Sequence, residues 1–129
     1  MKTNTETNAT ETNAVETWRS VLDRHARVTG ALEHVLAEHE LGVSEFEVLE
    51  RLVDQPSEGC RMHDLAGSIH LSQSALSRVV GRLEDDGLVE RSMCPDDRRG
   101  IYAHITDAGR SRYEAARPAH RAVLERELG

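Results

Sequence analysis

The segment of residues 71–91, LSQSALSRVVGRLEDDGLVER, restricts the fold of this 129-residue chain more than any other. Its apolar side chains repeat at i, i+3, i+4 and i+7, which is the pattern of a helix with one buried face. Those side chains are Leu76, Val79, Val80 and Leu83. Ser72 is a good N-cap for this helix, and Asp86-Gly87 ends it. The segment therefore predicts a helix over about 73–86 that packs on a core.

The opposite face of this helix differs from an ordinary solvated face, which pairs Glu with Lys. Its side chains are small, hydrogen-bonding or cationic, and none is acidic. They are Ser74, Ser77, Arg78, Gly81 and Arg82. A DNA major groove about 12 Å wide admits a helix with a slim face, and arginines reach bases or phosphates there. The face, with Ser72 and Gln73 at its tip, predicts DNA contact; the alternative is a plain solvated surface.

The neighbouring segments predict a mainly α chain with a small β-wing. A short helix at about 62–69 precedes the 73–86 helix across a tight turn, and strands at 88–93 and 101–105 follow. Two short helices joined by a tight turn and followed by a hairpin form a winged helix-turn-helix. Helical patterns also cover about 15–39 and the chain after 106.

Capping residues predict several helix boundaries. Gly42 ends the first long helix, and Ser44 with Glu47 three residues later predicts a capping box for the next one. Thr106 is predicted to cap the last helix, and Pro118 to interrupt it. These boundaries separate the long terminal helices from the short ones between them.

Residues 1–14 are predicted to be a disordered N-terminal tail. They contain the sequence TETNA twice, and this Thr, Asn and Glu content cannot bury surface. The remaining residues, 15–129, are enough for one domain with a single core.

Composition limits the class of protein. The net charge of -7 argues against strong non-specific DNA binding, although the acids concentrate in residues 40–58 and no acid lies between 71 and 83. No apolar run approaches the ~20 residues of a membrane span. Cys60 and Cys94 lack CxxC spacing and are interpreted as inert thiols. A cytoplasmic protein without a membrane partner is expected.

The order of motifs from residue 62 to 109 resembles that of the MarR family of bacterial transcription regulators. An LA helix, the pattern LS-S--SR-V--LE--GLV-R, the wing tip Asp97–Gly100 and the junction ITDAG occur in the family's order. The resemblance covers about 15–129. It implies a DNA-reading lobe at about 44–105 between dimerisation helices at about 15–39 and 106–129.

The resemblance also implies a function. MarR regulators are homodimers that bind pseudo-palindromic double-stranded DNA, usually as repressors. By resemblance the 73–86 helix enters the major groove, and Arg99, held by Asp97 and next to Arg98, reaches the minor groove. A small effector, often an aromatic or phenolic anion, releases the DNA. Family members continue for several further helical turns past a point like Leu124–Gly129, so either the sequence is part of a longer chain or the dimer depends more on the first helix.

The effector site is predicted by a looser resemblance. A urate-responsive branch of the family combines a tryptophan on the N-terminal helices with an acid on the next helix and an arginine on the recognition helix. Trp18, Glu47 and Arg78 match these roles; ordinary core or dimer packing is the alternative for Trp18.

Other functions remain as alternatives. Relatives that sense zinc use His and Glu near the first helix, which His34, Glu38 and His120 resemble, but the seven histidines form no HExxH pattern and no metal site is predicted. No P-loop, Rossmann glycine pattern or G-x-S-x-G elbow is present, so the chain is not expected to be an enzyme or to need a cofactor. A winged helix that binds only proteins is the third alternative.

Overall fold

The structure is a computed structural model that describes the backbone of residues 2–94 and 97–129 and the side chains of residues 8–93 and 100–129. The described residues form five helices and three strands, and the three inner helices with the strands make a winged helix-turn-helix lobe between the two long helices, as the sequence predicted. In chain order they are α1 (Lys2–Ala37), α2 (Val43–Val53), β1 (Cys60–Arg61), α3 (Met62–Ser68), α4 (Gln73–Asp85), β2 (Val89–Cys94), β3 (Asp97–Ile105) and α5 (Asp107–Leu128).

Helix α1 begins earlier than the sequence suggested. Residues 2–14 were expected to be a disordered tail, but they continue the helix from Lys2. This segment contains neither Gly nor Pro, and once a helix is nucleated each added residue gains a hydrogen bond. The Thr12 hydroxyl donates to the Asn8 carbonyl at 2.8 Å, so this polar side chain has a hydrogen-bond partner within the helix. At the other end, Glu40 adopts a left-handed conformation with φ 56° and turns the chain toward α2.

The caps of α2 and α5 refine the predicted boundaries. The N-cap of α2 is Gly42, not Ser44, and its backbone N–H donates to Glu45 Oε1 at 3.1 Å, so Glu45 and not Glu47 supplies the capping carboxylate. Because glycine has no side chain, only this half of a capping box forms. Glu47 is therefore available for contacts with another helix. Thr106 caps α5 as predicted, since its Oγ1 accepts from the Gly109 N–H at 3.0 Å.

Pro118 does not interrupt α5, which runs without a break from Asp107 to Leu128. A proline inside a helix removes one backbone hydrogen bond. Ala116 before it and His120 after it are both buried, so packing on both sides keeps the two halves of the helix aligned. The predicted interruption was therefore wrong because tertiary contacts outweigh one lost bond.

The core joins the lobe to the terminal helices. The predicted apolar face of α4 is at most 5% exposed and packs with α2, α3 and the first strand residues of the wing. The largest fully buried side chains of this core include Phe46, Leu36, Leu49, Leu52, Leu65, Leu76, Leu83 and Leu88.

The sheet holds the wing against the lobe. Its antiparallel order is β1-β3-β2, with Val89 opposite Ile105 and Cys60 opposite Ala103. Gly59 before β1 has φ 87°, and a Cβ there would lie 2.1 Å from the Ala103 carbonyl oxygen. Only glycine allows the backbone at position 59 to lie this close to Ala103. This close contact lets the short strand β1 pair with β3 of the wing.

Candidate nucleic-acid interface

The outward face of α4 consists of two different stripes. Ser74, Arg78 and Arg82, each four residues apart, are exposed and form the first stripe. Within the described part of the chain, neither guanidinium group forms a hydrogen bond or an ion pair. The first stripe therefore presents two guanidinium groups to solvent without a neutralising carboxylate, as phosphate contact requires.

The second stripe, which contains Ser77 and Gly81, is covered by the side chain of a wing residue, Arg91. Arg91 on β2 donates from Nε and Nη2 to Glu84 Oε1 at 3.1 and 3.0 Å, and from Nη1 to Ser77 Oγ at 3.4 Å. It also passes Gly81, where an added Cβ would lie 3.8 Å from Nη2. Hydrogen bonds from the Arg91 backbone and side chain lower the pKa of Glu84. Ser77 and Gly81, predicted to face DNA, thus lie beside Arg91 of the same chain.

The N-terminal tip of α4 carries a cap and a side-chain contact to α3. Ser72 caps the helix as predicted, because its Oγ accepts from the Ala75 N–H at 3.1 Å. Gln73, the first helical residue, places its Nε2 3.3 Å from Nδ1 of His63. No sequence pattern distinguished His63 from the other histidines.

A cleft of about 200 Å³ adjoins this contact, between the starts of α3 and α4 and strand β3 of the wing. Arg61 from β1 borders the cleft. Its Nε donates to the Tyr102 hydroxyl at 3.2 Å, and its guanidinium carbon lies 5.7 Å from the centre of the Tyr102 ring. The cleft is lined by Arg61, Met62, His63, Gln73, Gly100 and Ile101.

The predicted wing contacts lie at the start of β3. Asp97 begins this strand and pairs in register with Cys94 after a shift between Met93 and Cys94. The side chains of Asp97, Arg98 and Arg99 lie outside the described residues. Their contact with DNA stays a prediction.

Comparisons with known proteins agree with this geometry. The sequence profile of the MarR family matches residues 41–101. AbsC, a MarR family transcriptional regulator from Streptomyces coelicolor, is 33% identical and superimposes with a TM-score of 0.81 over 87% of this chain and 76% of its own. The chain belongs to the MarR family.

Two further solved structures resemble this chain. One, a S. coelicolor MarR regulator solved in complex with DNA, is 29% identical with a TM-score of 0.81, over 87% of this chain and 71% of its own. CouR from Rhodococcus jostii RHA1, solved with p-coumaroyl-CoA, is 30% identical with a TM-score of 0.75, over 84% of this chain and 76% of its own. The chain spans 56%, 66% and 59% of the length of three curated transcriptional regulators that it matches.

The residues predicted for a MarR effector site do not meet within one chain. Trp18 is 59% exposed on α1, and Arg78 is exposed on α4. Within the described residues, neither forms a hydrogen bond or an ion pair with Glu47. Instead, Glu47 Oε1 lies 3.8 Å from Nε2 of His120 on α5. Burial, and repulsion from Glu50, raise the pKa of Glu47.

A polar cluster that the sequence did not reveal joins α2 to α5. Glu50 accepts hydrogen bonds from the Tyr113 hydroxyl at 3.0 Å and from Arg121. Burial raises the pKa of Glu50, but these two bonds outweigh it and the net direction is down. The residues are far apart in sequence and have no common periodicity, so only the fold identifies the cluster. It connects the winged helix-turn-helix lobe to a terminal helix.

His120 is the buried member of this cluster, at 2% exposure. Its ring stacks on Phe46 with centroids 4.1 Å apart, and Arg121 Nη1 lies 2.7 Å from Nδ1. Because arginine only donates, Nδ1 accepts and the ring is neutral. Burial and the Arg121 charge lower the pKa of His120. Because the ring is neutral, the 3.8 Å contact of its Nε2 with Glu47 Oε1 is not an ion pair.

The zinc alternative receives no support. In the described ranges, no three His, Cys, Asp or Glu side chains lie close enough to hold a metal ion. His120 is engaged by Phe46 and Arg121 and is not directed to His34 and Glu38. Cys60 is partly buried, and burial together with Asp64 raises the pKa of its thiol, which disfavours the reactive thiolate.

Proposed function

We propose that this MarR protein is a cytoplasmic transcription regulator that binds double-stranded DNA as a homodimer and is released by a small ligand. It acts by binding, not by catalysis. The observation that carries the proposal is the first stripe of α4, where Arg78 and Arg82 stand exposed beside Ser74 on a helix fixed by its buried face. An MarR structure similar to this chain was solved in complex with DNA.

The DNA contacts divide into the α4 helix and the wing. Arg78 and Arg82 supply affinity through phosphates or bases, while the α4 tip supplies sequence readout. Ser77 contributes less than its position suggests, because Arg91 already donates to it. The full proposed set is Ser72, Gln73, Ser74, Ser77, Arg78, Arg82, Asp97, Arg98 and Arg99.

Helix α1 supports the homodimer. Its residues 8–27 are all exposed, and its apolar side chains Val15, Trp18, Val21 and Leu22 are 40%, 59%, 53% and 45% exposed. Yet no described helix is apolar and long enough to cross a membrane. A second copy of the chain would bury this row together with Leu128, which borders a cavity of about 440 Å³ against α1.

The effector is proposed to be a small aromatic or phenolic anion. CouR, a relative of 30% identity, was solved with p-coumaroyl-CoA. Trp18, Glu47 and Arg78 remain the proposed effector residues, and a second protomer is needed to bring Trp18 near a lobe. The α2–α5 cluster of Glu50, Tyr113 and Arg121 would transmit the effect, because it joins the lobe at about 44–105 to the terminal helix.

The test is fluorescence anisotropy with a labelled duplex from the region upstream of the protein's own gene, compared with a scrambled duplex, over a salt series. Arg78→Ala and Arg82→Ala are compared with Arg51→Ala, an exposed arginine on α2. If each arginine contacts one phosphate per protomer, the log–log salt slope of each variant falls by roughly 2 per dimer. Arg51→Ala should bind like the wild type. Equal binding of all three variants would exclude the α4 interface.

Effector release is tested on the same complex. Salicylate-like acids, urate and zinc are titrated into the bound duplex while sedimentation reports the oligomeric state. Release by an aromatic acid from an intact dimer supports the proposal. Release by zinc alone would favour the metal-responsive alternative, and absence of DNA binding by a stable dimer would favour a protein-interaction module.

A further inference from the structure

The contact between His63 and Gln73 crosses the turn between α3 and α4. His63 is the second residue of α3 and Gln73 is the first of α4, and both side chains are exposed. Gln73 Nε2 lies 3.3 Å from His63 Nδ1. Among the described residues this is the one side-chain hydrogen bond that Gln73 forms. The tip of the proposed recognition helix is thus tied to a residue outside that helix.

This hydrogen bond restricts the Gln73 side chain, which is otherwise flexible. A glutamine loses more rotamer entropy than most side chains when it is fixed. Because the hydrogen bond to His63 already restricts Gln73 in the unbound protein, Gln73 loses less rotamer entropy when it binds a base. An unrestrained glutamine at the same position would bind bases more weakly and with less discrimination.

The tie also fixes which atoms of the amide point outward. Gln73 donates one N–H to the ring nitrogen, so its Oε1 and its second N–H remain available. An acceptor beside a donor is the pair that matches the N6 amino group and N7 of adenine in the major groove. If Nδ1 carried a proton instead, the amide would have to turn and offer only donors, which match guanine. The histidine therefore selects the edge that the glutamine presents.

We propose that His63 is a positioning residue that makes Gln73 read adenine, so that a residue on α3 sets one base of the operator. The inference rests on the proposed function, since it requires α4 to enter the major groove. His63 itself contacts no base in this arrangement. Its substitution should change sequence preference at one position per half-site and leave the rest of the operator preference unchanged.

The experiment is selection of DNA from a randomised duplex library by the full chain, followed by sequencing of the bound fraction. The wild type is compared with Gln73→Ala, His63→Ala and the double variant. His63→Asn is the rescue, because the asparagine Oδ1 provides an acceptor near the position of Nδ1. Gly67→Ala is the control on α3, since a Cβ there meets no atom within 4 Å.

The expected result is a preference for adenine at one position of each half-site. That preference should fall by about fivefold or more in Gln73→Ala and in His63→Ala, at the same position, and fall no further in the double variant. His63→Asn and Gly67→Ala should keep the wild-type profile. The variants of His63 and Gln73 should keep the melting temperature of the wild type, and all variants should bind an unrelated duplex equally at low salt, which separates positioning from folding.

The possible failures are distinguishable. If the wild type enriches no sequence, the proposed function fails and this inference fails with it. If the wild type selects a palindrome that Gln73→Ala leaves unchanged, the function stands and the inference is overturned. It is also overturned if His63→Ala changes no position, changes a different position from Gln73→Ala, or is not rescued by His63→Asn.

Discussion

Substitution of Gly81 by alanine separates the stability of α4 from its proposed contact with DNA. Gly81 lies within α4, and the nearest atom to a Cβ built there is Arg91 Nη2 at 3.8 Å, an ordinary van der Waals distance. The methyl group therefore fits without moving Arg91. Since glycine in a helix interior costs about 0.5–1 kcal/mol relative to alanine, Gly81→Ala should stabilise the fold by that amount. The melting temperature should rise by roughly 2–6 °C.

The same methyl group should weaken DNA binding. If the glycine is present so that the major groove can approach the helix closely, an added carbon in a packed interface costs about 1–3 kcal/mol, which is roughly five- to 150-fold in affinity. The assays are thermal unfolding at one fixed protomer concentration and anisotropy with the operator duplex. Gly67→Ala on α3, with nothing within 4 Å, should stabilise equally and bind normally.

Two results would refute this reasoning. A lower melting temperature for Gly81→Ala would mean that the space beside Arg91 is smaller than the 3.8 Å separation indicates. A higher melting temperature with unchanged DNA affinity would mean that DNA does not approach Gly81. The glycine would then serve only to leave room for Arg91.

Three further substitutions test the packing of α5. Gly109→Ala should lower the free energy of unfolding by about 1–3 kcal/mol, because its Cβ would lie 2.2 Å from the Leu88 carbonyl oxygen; an unchanged melting temperature would contradict this. Tyr113→Phe should cost about 0.5–1.5 kcal/mol in urea unfolding by removing the hydrogen bond to Glu50, and no loss would show that Arg121 alone satisfies the carboxylate. The pKa of His120 is lowered from 6.5 in the folded chain. Below pH 6.5 this histidine is therefore more protonated in the unfolded chain than in the folded chain. The free energy of unfolding should therefore fall between pH 7.5 and 5.5, with a shallower slope in His120→Gln; equal slopes would exclude this role.

Much of the lobe follows from local sequence signals. The apolar period of α4 and the Ser72 cap fix both the extent and the orientation of that helix, and the structure confirms them. Thr106 fixes the start of α5 in the same way. These features are predictable because a cap or a buried face involves residues within a few positions of each other.

The errors have a common cause in contacts between distant segments. The sequence predicts Glu47 as the capping partner because Gly42 lacks the side chain of a capping box, whereas in the structure Glu45 caps α2 and Glu47 lies near His120 on α5. Pro118 remains helical because buried neighbours outweigh one lost hydrogen bond. Arg91 was overlooked for the same reason, since nothing local shows that a strand residue covers α4.

The position of Arg91 also explains how a chain of net charge -7 can present a local cationic surface. Glu84 lies on α4, and Arg91 engages its carboxylate through two side-chain bonds and one backbone bond. The acids of α2 are directed elsewhere, because Glu50 is engaged by Arg121 across the α2–α5 junction. The potential near the first stripe of α4 is therefore set by Arg78 and Arg82, whose guanidinium groups form no ion pair within the described residues. Salt at physiological strength screens charges beyond a Debye length of about 8–10 Å, so these arginines attract phosphates only at short range, while the acidic remainder of the molecule repels DNA mainly at low salt. Binding to random DNA should be weak for this reason, and the sequence-reading tip of α4 then has a large share in the affinity for an operator.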